Sequence, residues 1–181
     1  MISRGWRSNL QIKTPTRQPH LTRKRDFLGL FVFIILCLTV SAAGGAVTAT
    51  SVNTWYQVLE KPSFNPPDWV FAPVWTTLYV LMGLSSWRIW RCRASKAKQL
   101  ALAIFGIQLF LNFVWSVLFF GLQRIDLALV EIAVLFIAIL ANIALYWRIE
   151  RLAGLLLLPY AAWVAFAIML NISLWLLNGT S

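Results

Sequence analysis

Few side chains here could do chemistry, and most of those are aromatic or uncharged and polar. The single histidine, His20, lies in a polar stretch ahead of the first apolar run. With no imidazole in the apolar body, a Ser-His-Asp triad, an HExxH zinc site and histidine ligation of haem iron are excluded. No glycine-rich phosphate loop occurs. Cys37 sits in an apolar run and Cys92 in a basic one, without CxxC spacing, so the cysteines indicate neither a disulfide framework nor a zinc site. Met82 and Met169 lie in apolar surroundings, where packing is the usual role of a thioether. No catalytic set and no metal-ligating set emerges.

What remains suits binding. Gln108, Asn112 and Ser116 fall at i, i+4 and i+8, on one helical face with Trp115 beside it. Such residues orient a ligand or hydrogen-bond between helices, the latter being the commoner role. Glu131 stands apart from the basic loops; an acid inside a membrane often marks function, but one about a turn inside a span also snorkels to the interface. The densest feature is Trp55 to Trp75, WYQVLEKPSFNPPDWVFAPVW, with three tryptophans, Tyr56, two phenylalanines and four prolines, Pro62, Pro66, Pro67 and Pro73. Prolines lower the entropy cost of holding rings in place, and fixed aromatic walls suit a large, planar, hydrophobic ligand. An interfacial aromatic belt explains Trp87, Trp90, Trp147 and Trp175 well. For the Trp55–Trp75 stretch, belt and ligand site stand level on the residues alone.

The elements that position these groups follow from composition. The chain has 181 residues, 60% hydrophobic and 12% charged, with a mean hydropathy of +0.72. Ordinary soluble domains carry about 25% charged residues, and uncharged runs of about 20 residues cross a bilayer core. The chain is expected to be an all-α membrane protein, a five-helix transmembrane bundle with spans near 27–49, 69–87, 100–122, 127–147 and 152–177. The first apolar run resembles a signal peptide at its front, but it continues uncharged through Leu59 and is read as a membrane helix. Asn65-Pro66-Pro67-Asp68 reads as the start of the second span, with Asn65 as cap, and Pro73 bends that helix in its first turns. Ser41, Gly45 and Ala49 form a small-residue stripe, read as packing within the chain.

Net charge is +10, yet it does not form a nucleic-acid patch. Residues 1–26 form a basic tail, read as a cytoplasmic anchor, although a transit peptide shares its composition. Of sixteen Lys and Arg residues, the five-span arrangement places all but Lys61 and Arg124 on one side. That bias fits a cytoplasmic N-terminus, an outer C-terminus and basic loops beside lipid headgroups. No internal repeat supports an inverted-repeat transporter.

Several motifs in order now carry a resemblance. They are Trp55-Tyr56, Lys61-Pro62-Ser63, PPDWVFAPVWT from Pro66 to Thr76, and Met82-Gly83. QLFLN from Gln108 to Asn112, Trp115-Ser116, FFG from Phe119 to Gly121, PYAAWVAFA from Pro159 to Ala167, and Leu170-Asn171 follow. From Phe27 to Asn178 the chain resembles the TspO/translocator protein family, the tryptophan-rich sensory proteins. The resemblance implies a five-helix bundle, commonly a homodimer, binding porphyrins such as protoporphyrin IX and in many members sterols or isoquinoline carboxamides. It implies a ligand pocket under the first loop, with Trp69 and Asn112 in direct contact. Trp55, Tyr56 and Trp163 would line the aromatic side, and Ala167 and Leu170 the fifth-helix wall. No cofactor is required; the porphyrin is a ligand, and the protein acts as receptor or sensor. Transport of porphyrins or other lipophilic molecules is the alternative, as is the light-dependent porphyrin breakdown reported for some members.

The chain departs from the family pattern twice. The usual KPSW is KPSF here, with Phe64 lacking the indole donor. The sterol-recognition pattern of animal members needs Tyr then Arg after the Leu-Asn of the fifth helix, whereas Ile172 follows Asn171 and SLWLLN carries no basic residue. Cholesterol is not the expected ligand.

Overall fold

The structure, a computed structural model, describes residues 23–179. Residues 1–22 of the basic tail, His20 among them, lie outside the described residues, and residues 23–26 form the start of the first helix. The described residues form helices joined by loops, with no strand among them: α1 Arg23–Ala49, α2 Trp55–Val58, α3 Phe71–Arg91, α4 Lys96–Ser116, α5 Ile125–Ile149, α6 Arg151–Leu156 and α7 Leu158–Asn178. A 3₁₀ turn, Asp68–Val70, leads into α3, and a π turn, Val117–Gly121, ends the α4 span. Five segments are long and apolar enough to cross a membrane: Lys24–Ala49, Asp68–Arg91, Lys96–Gly121, Ile125–Ile149 and Arg151–Asn178. The five-helix membrane expectation holds, and the spans run further than the apolar runs. Arg88 and Arg91 sit in the last turn of α3, where cations complement the helix dipole.

The centre of the bundle is α5. Its buried residues Ile125, Ala128, Ile132, Leu135, Ile139, Asn142 and Tyr146 are spaced alternately three and four apart, which keeps one seam facing inward. Facing it, α4 buries Ala101, Phe105, Gln108 and Asn112 at the same spacing. Side-chain hydrogen bonds register the helices where apolar packing cannot. Ser86 and Tyr146 hydroxyls meet at 2.9 Å, and Ser85 Oγ donates to the Ala153 carbonyl at 2.7 Å. Arg88 grips Glu150 through two bonds of 2.7 and 3.0 Å. At the same end Arg91 reaches Asp26 at 3.3 Å.

α1 is the least enclosed span, and it leans on α3 at Gly83. A Cβ there would lie 3.1 Å from both Ile34 Cα and Phe33 O. These are backbone atoms that cannot step aside, so glycine is what allows the two helices to touch.

Two local readings are corrected. Asn65 does not cap the second span: Pro67 precedes the first turn with no side-chain cap, and Asn65 Oδ1 instead accepts from Tyr56 Oη at 3.1 Å. The fifth span is not one helix. Pro159 opens α7, and because its ring has no N–H and crowds the preceding turn, the chain breaks at Leu157. The first loop carries α2.

Candidate ligand cavity

Helical periodicity brings the residues of the cavity wall together. On α3, Phe71, Trp75 and Tyr79 recur every four residues and share one face. On α7, Trp163, Ala167, Leu170 and Leu174 recur three or four residues apart and likewise share one face. These faces, with α1, the end of α4 and Tyr56 of α2, enclose a cavity of about 400 Å³, within the range of small-molecule sites. Trp115 stacks on Phe119 at 5.0 Å and 18°, Phe71 meets Trp163 edge-on at 5.9 Å, and Trp75 lies 5.8 Å from Tyr79. The wall is therefore several aromatic planes at different tilts.

The polar groups lie at three levels. Farthest from the first loop are Asn112 and Tyr79, both lining the cavity. Asn112 Nδ2 donates to the hydroxyl of Tyr160, which is fully buried; this bond fixes the amide plane. Nearer the loop, Asn171 accepts from Trp115 Nε1 at 3.3 Å and donates to the Ile125 carbonyl at 3.0 Å. At the loop itself Tyr56 lies under Lys61, whose Nζ stands 4.7 Å over its ring. Burial pushes the Tyr56 phenol up from its ordinary value, while the bond to Asn65 pulls it back. Below Asn112 the bundle is filled by Cys37, Met82, Phe105, Ile139, Tyr146 and Leu157. The cavity thus occupies the loop-side half only.

This arrangement coincides with a family. Residues 33–176 match the TspO/MBR family. The chain belongs to it. A tryptophan-rich protein TspO of Archaeoglobus fulgidus is 44% identical over 156 residues, covering 84% of this chain and 99% of the relative. The translocator protein of Sus scrofa is 39% identical over 142 residues, 75% of this chain and 84% of the relative. A tryptophan-rich sensory protein of Cereibacter sphaeroides is 37% identical over 147 residues, 79% and 91%.

For this TspO/MBR family member, five of the seven candidate site residues meet at the cavity: Tyr56, Asn112, Trp163, Ala167 and Leu170. Trp55 forms an outer layer, 5.6 Å edge-on to Phe119, which itself lines the wall. Trp69 lies apart, 74% exposed and not on the wall. Sequence reasoning did not single out Trp75, Tyr79 and Phe119 as wall residues; the four-residue spacing on α3 was the signal for the first two. Phe64, at the KPSF departure, packs on Phe166 of α7 at 6.3 Å.

The remaining candidates are placed differently. Gln108 is fully buried below the wall, and neither amide atom has a hydrogen-bond partner. Glu131 does not snorkel: it is buried beside the inward seam of α5, and neither carboxyl oxygen is hydrogen-bonded. Met82 is core, Met169 faces outward, and both cysteines are free. Among the described residues no cluster of His, Cys, Asp or Glu could hold a metal ion.

Proposed function

We propose that the cavity binds a planar, lipophilic tetrapyrrole such as protoporphyrin IX, and that the protein acts as a membrane receptor or sensor for it. The observation that carries this reading is the aromatic wall around a fixed amide: Trp75, Trp115 and Trp163 offer ring faces, and Asn112 a polar anchor. Flat rings favour offset stacking and edge contacts with flat ligands, and one oriented amide sets the register of a ring that carries N–H groups. The chain's single histidine lies in the tail, so free porphyrin fits better than iron-ligated haem. The packed core below Asn112 favours a receptor over a channel, since the cavity stops half-way through the bundle.

The test is a titration of the purified protein with protoporphyrin IX, read as tryptophan quenching. Saturable quenching that weakens in Asn112→Ala is expected. A linear, unsaturable response would remove the proposal.

The charge bias also supports an N-terminus in the cytoplasm and the first loop outside. With Cys92 replaced by Ser, an impermeant thiol reagent should label Ser63→Cys from outside and Ala94→Cys only from the cytoplasmic side. The opposite pattern would reverse the orientation.

A further inference from the structure

Two sides of the cavity are built differently. The first is the loop, which is fastened at every level. Ser51 Oγ donates to the Phe120 carbonyl at 2.7 Å, and Gln57 Nε2 to Asp68 Oδ2 at 2.7 Å. At the far side, the Asn178 amide brackets the Glu60 peptide: Nδ2 donates to Glu60 O, and Oδ1 accepts from Glu60 N–H, both at 2.9 Å. One side chain on the last helix thus holds the loop down by two parallel bonds.

The second is lateral. α1 and α3 run antiparallel and touch where Gly83 meets Ile34. From that contact, equal steps along the two helices pair Ser41 with Thr76, Gly45 with Ala72, and Ala49 with Asp68. All six line the cavity. Were the helices still in contact at these levels, such small residues would be buried against each other. Instead Gly45, Ala49, Ala72 and Thr76 are exposed, and a Cβ on Gly45 would meet nothing within 4 Å. The helices therefore diverge from the Gly83 contact, and small side chains keep the gap clear. Gly45 and Ala72 each lie eleven residues from the contact, about 16 Å along the helix. Ser41 lies about 12 Å inside the loop-side end of α1, so the gap faces the hydrocarbon of a bilayer whose core is about 30 Å thick.

We propose that this slot between α1 and α3 is the ligand's portal, and that the ligand enters from the lipid phase rather than from water. The proposal rests on the reading that the cavity binds a tetrapyrrole. A lipophilic ring partitions into the bilayer first, and the slot meets it there while the latched loop closes the aqueous side. The small residues are a kinetic feature: they set how fast the ligand passes, and the aromatic wall sets how tightly it is held.

The experiment uses the full chain in vesicles preloaded with protoporphyrin IX, and stopped-flow tryptophan quenching gives kon and koff. Gly45→Phe and Ala72→Phe obstruct the slot from opposite helices. Ala46→Phe, exposed on α1 but off the wall, controls for added bulk, and Asn178→Ala frees the loop. In either slot variant kon and koff are expected to fall together by about tenfold or more, since a gate slows passage both ways; Kd is read separately, because both residues also line the cavity. Ala46→Phe and Asn178→Ala are expected to keep wild-type rates. Wild-type rates in both slot variants overturn the portal, as does acceleration in Asn178→Ala alone, which would assign entry to the loop. A raised Kd with unchanged kon also overturns it, because residue 45 would then belong to the seat and not the gate. If Phe at either position prevents folding, Gly45→Leu and Ala72→Leu give the same comparison. Failure of wild-type protein to saturate at equilibrium sinks the tetrapyrrole reading and the portal with it. Saturation with unaltered rates sinks the portal alone.

Discussion

Tyr160→Phe removes one oxygen that lies outside the cavity wall, and it should nevertheless weaken ligand binding. The Tyr160 hydroxyl is fully buried and receives the Asn112 amide. The ring itself packs 6.4 Å from Trp75, and Phe preserves that contact, so the wall keeps its shape. What is lost is the bond that fixes the Asn112 amide plane. Interhelical hydrogen bonds in membranes average about 0.6 kcal/mol and reach about 1.7. If the whole of that energy serves to hold Asn112 in its binding orientation, Kd rises about threefold to sixteenfold, at about 1.4 kcal/mol per factor of ten. The assay is protoporphyrin IX titration of wild type, Tyr160→Phe, Asn112→Ala and the double variant. Because Tyr160 acts through Asn112, the double variant should bind no worse than Asn112→Ala alone. Additive losses, or a Tyr160→Phe affinity equal to wild type while Asn112→Ala is weak, would refute the reasoning.

Gly83→Leu should destabilise the bundle by about 1–3 kcal/mol through overpacking, read as a lower thermal midpoint in detergent, whereas Gly45→Ala, facing open space, should not. The hydrogen-bonded Arg88 guanidinium holds the Glu150 carboxyl below its ordinary value. Its stabilisation is therefore present above the ordinary glutamate value of about 4.3 and lost as pH falls through the lowered folded value. Wild type should melt above Glu150→Gln at pH 7, and the two should converge as pH falls through the lowered Glu150 value; a gap that persists in strong acid would contradict the pairing. Trp163→Ala should weaken porphyrin binding by about twofold to tenfold, the worth of one aromatic contact. Trp69→Ala, exposed and off the wall, should cost clearly less, and a larger loss at Trp69 would show that the ligand extends beyond the cavity.

Much of the architecture was legible because membrane spans are a one-dimensional signal. The apolar runs and the charge between them yielded five helices, and the polar face of Gln108, Asn112 and Ser116 pointed at the right side of α4. What was not legible depends on partners far away in the chain. Asn65 carries the features of a helix cap, but a tyrosine nine residues earlier takes its oxygen. Glu131 stood near enough to a helix end to snorkel, yet it is buried beside the inward seam of α5. The stripe Ser41, Gly45 and Ala49 read as a packing surface, because small residues permit both contact and space. The crossing at Gly83 decides between these, and it cannot be read from α1 alone. Trp69 shares the aromatic, proline-rich stretch with Trp75, yet the turn at Asp68–Val70 sends one outward and the other to the wall.

Ala167 sits on the α7 wall of the cavity, so an indole placed there would occupy the space assigned to the ligand. The measurement is equilibrium binding of protoporphyrin IX to Ala167→Trp, with helical content and melting followed on the same sample. A folded variant with no saturable binding is the expected result. A folded variant that binds as tightly as wild type would contradict the assignment of this cavity as the tetrapyrrole site.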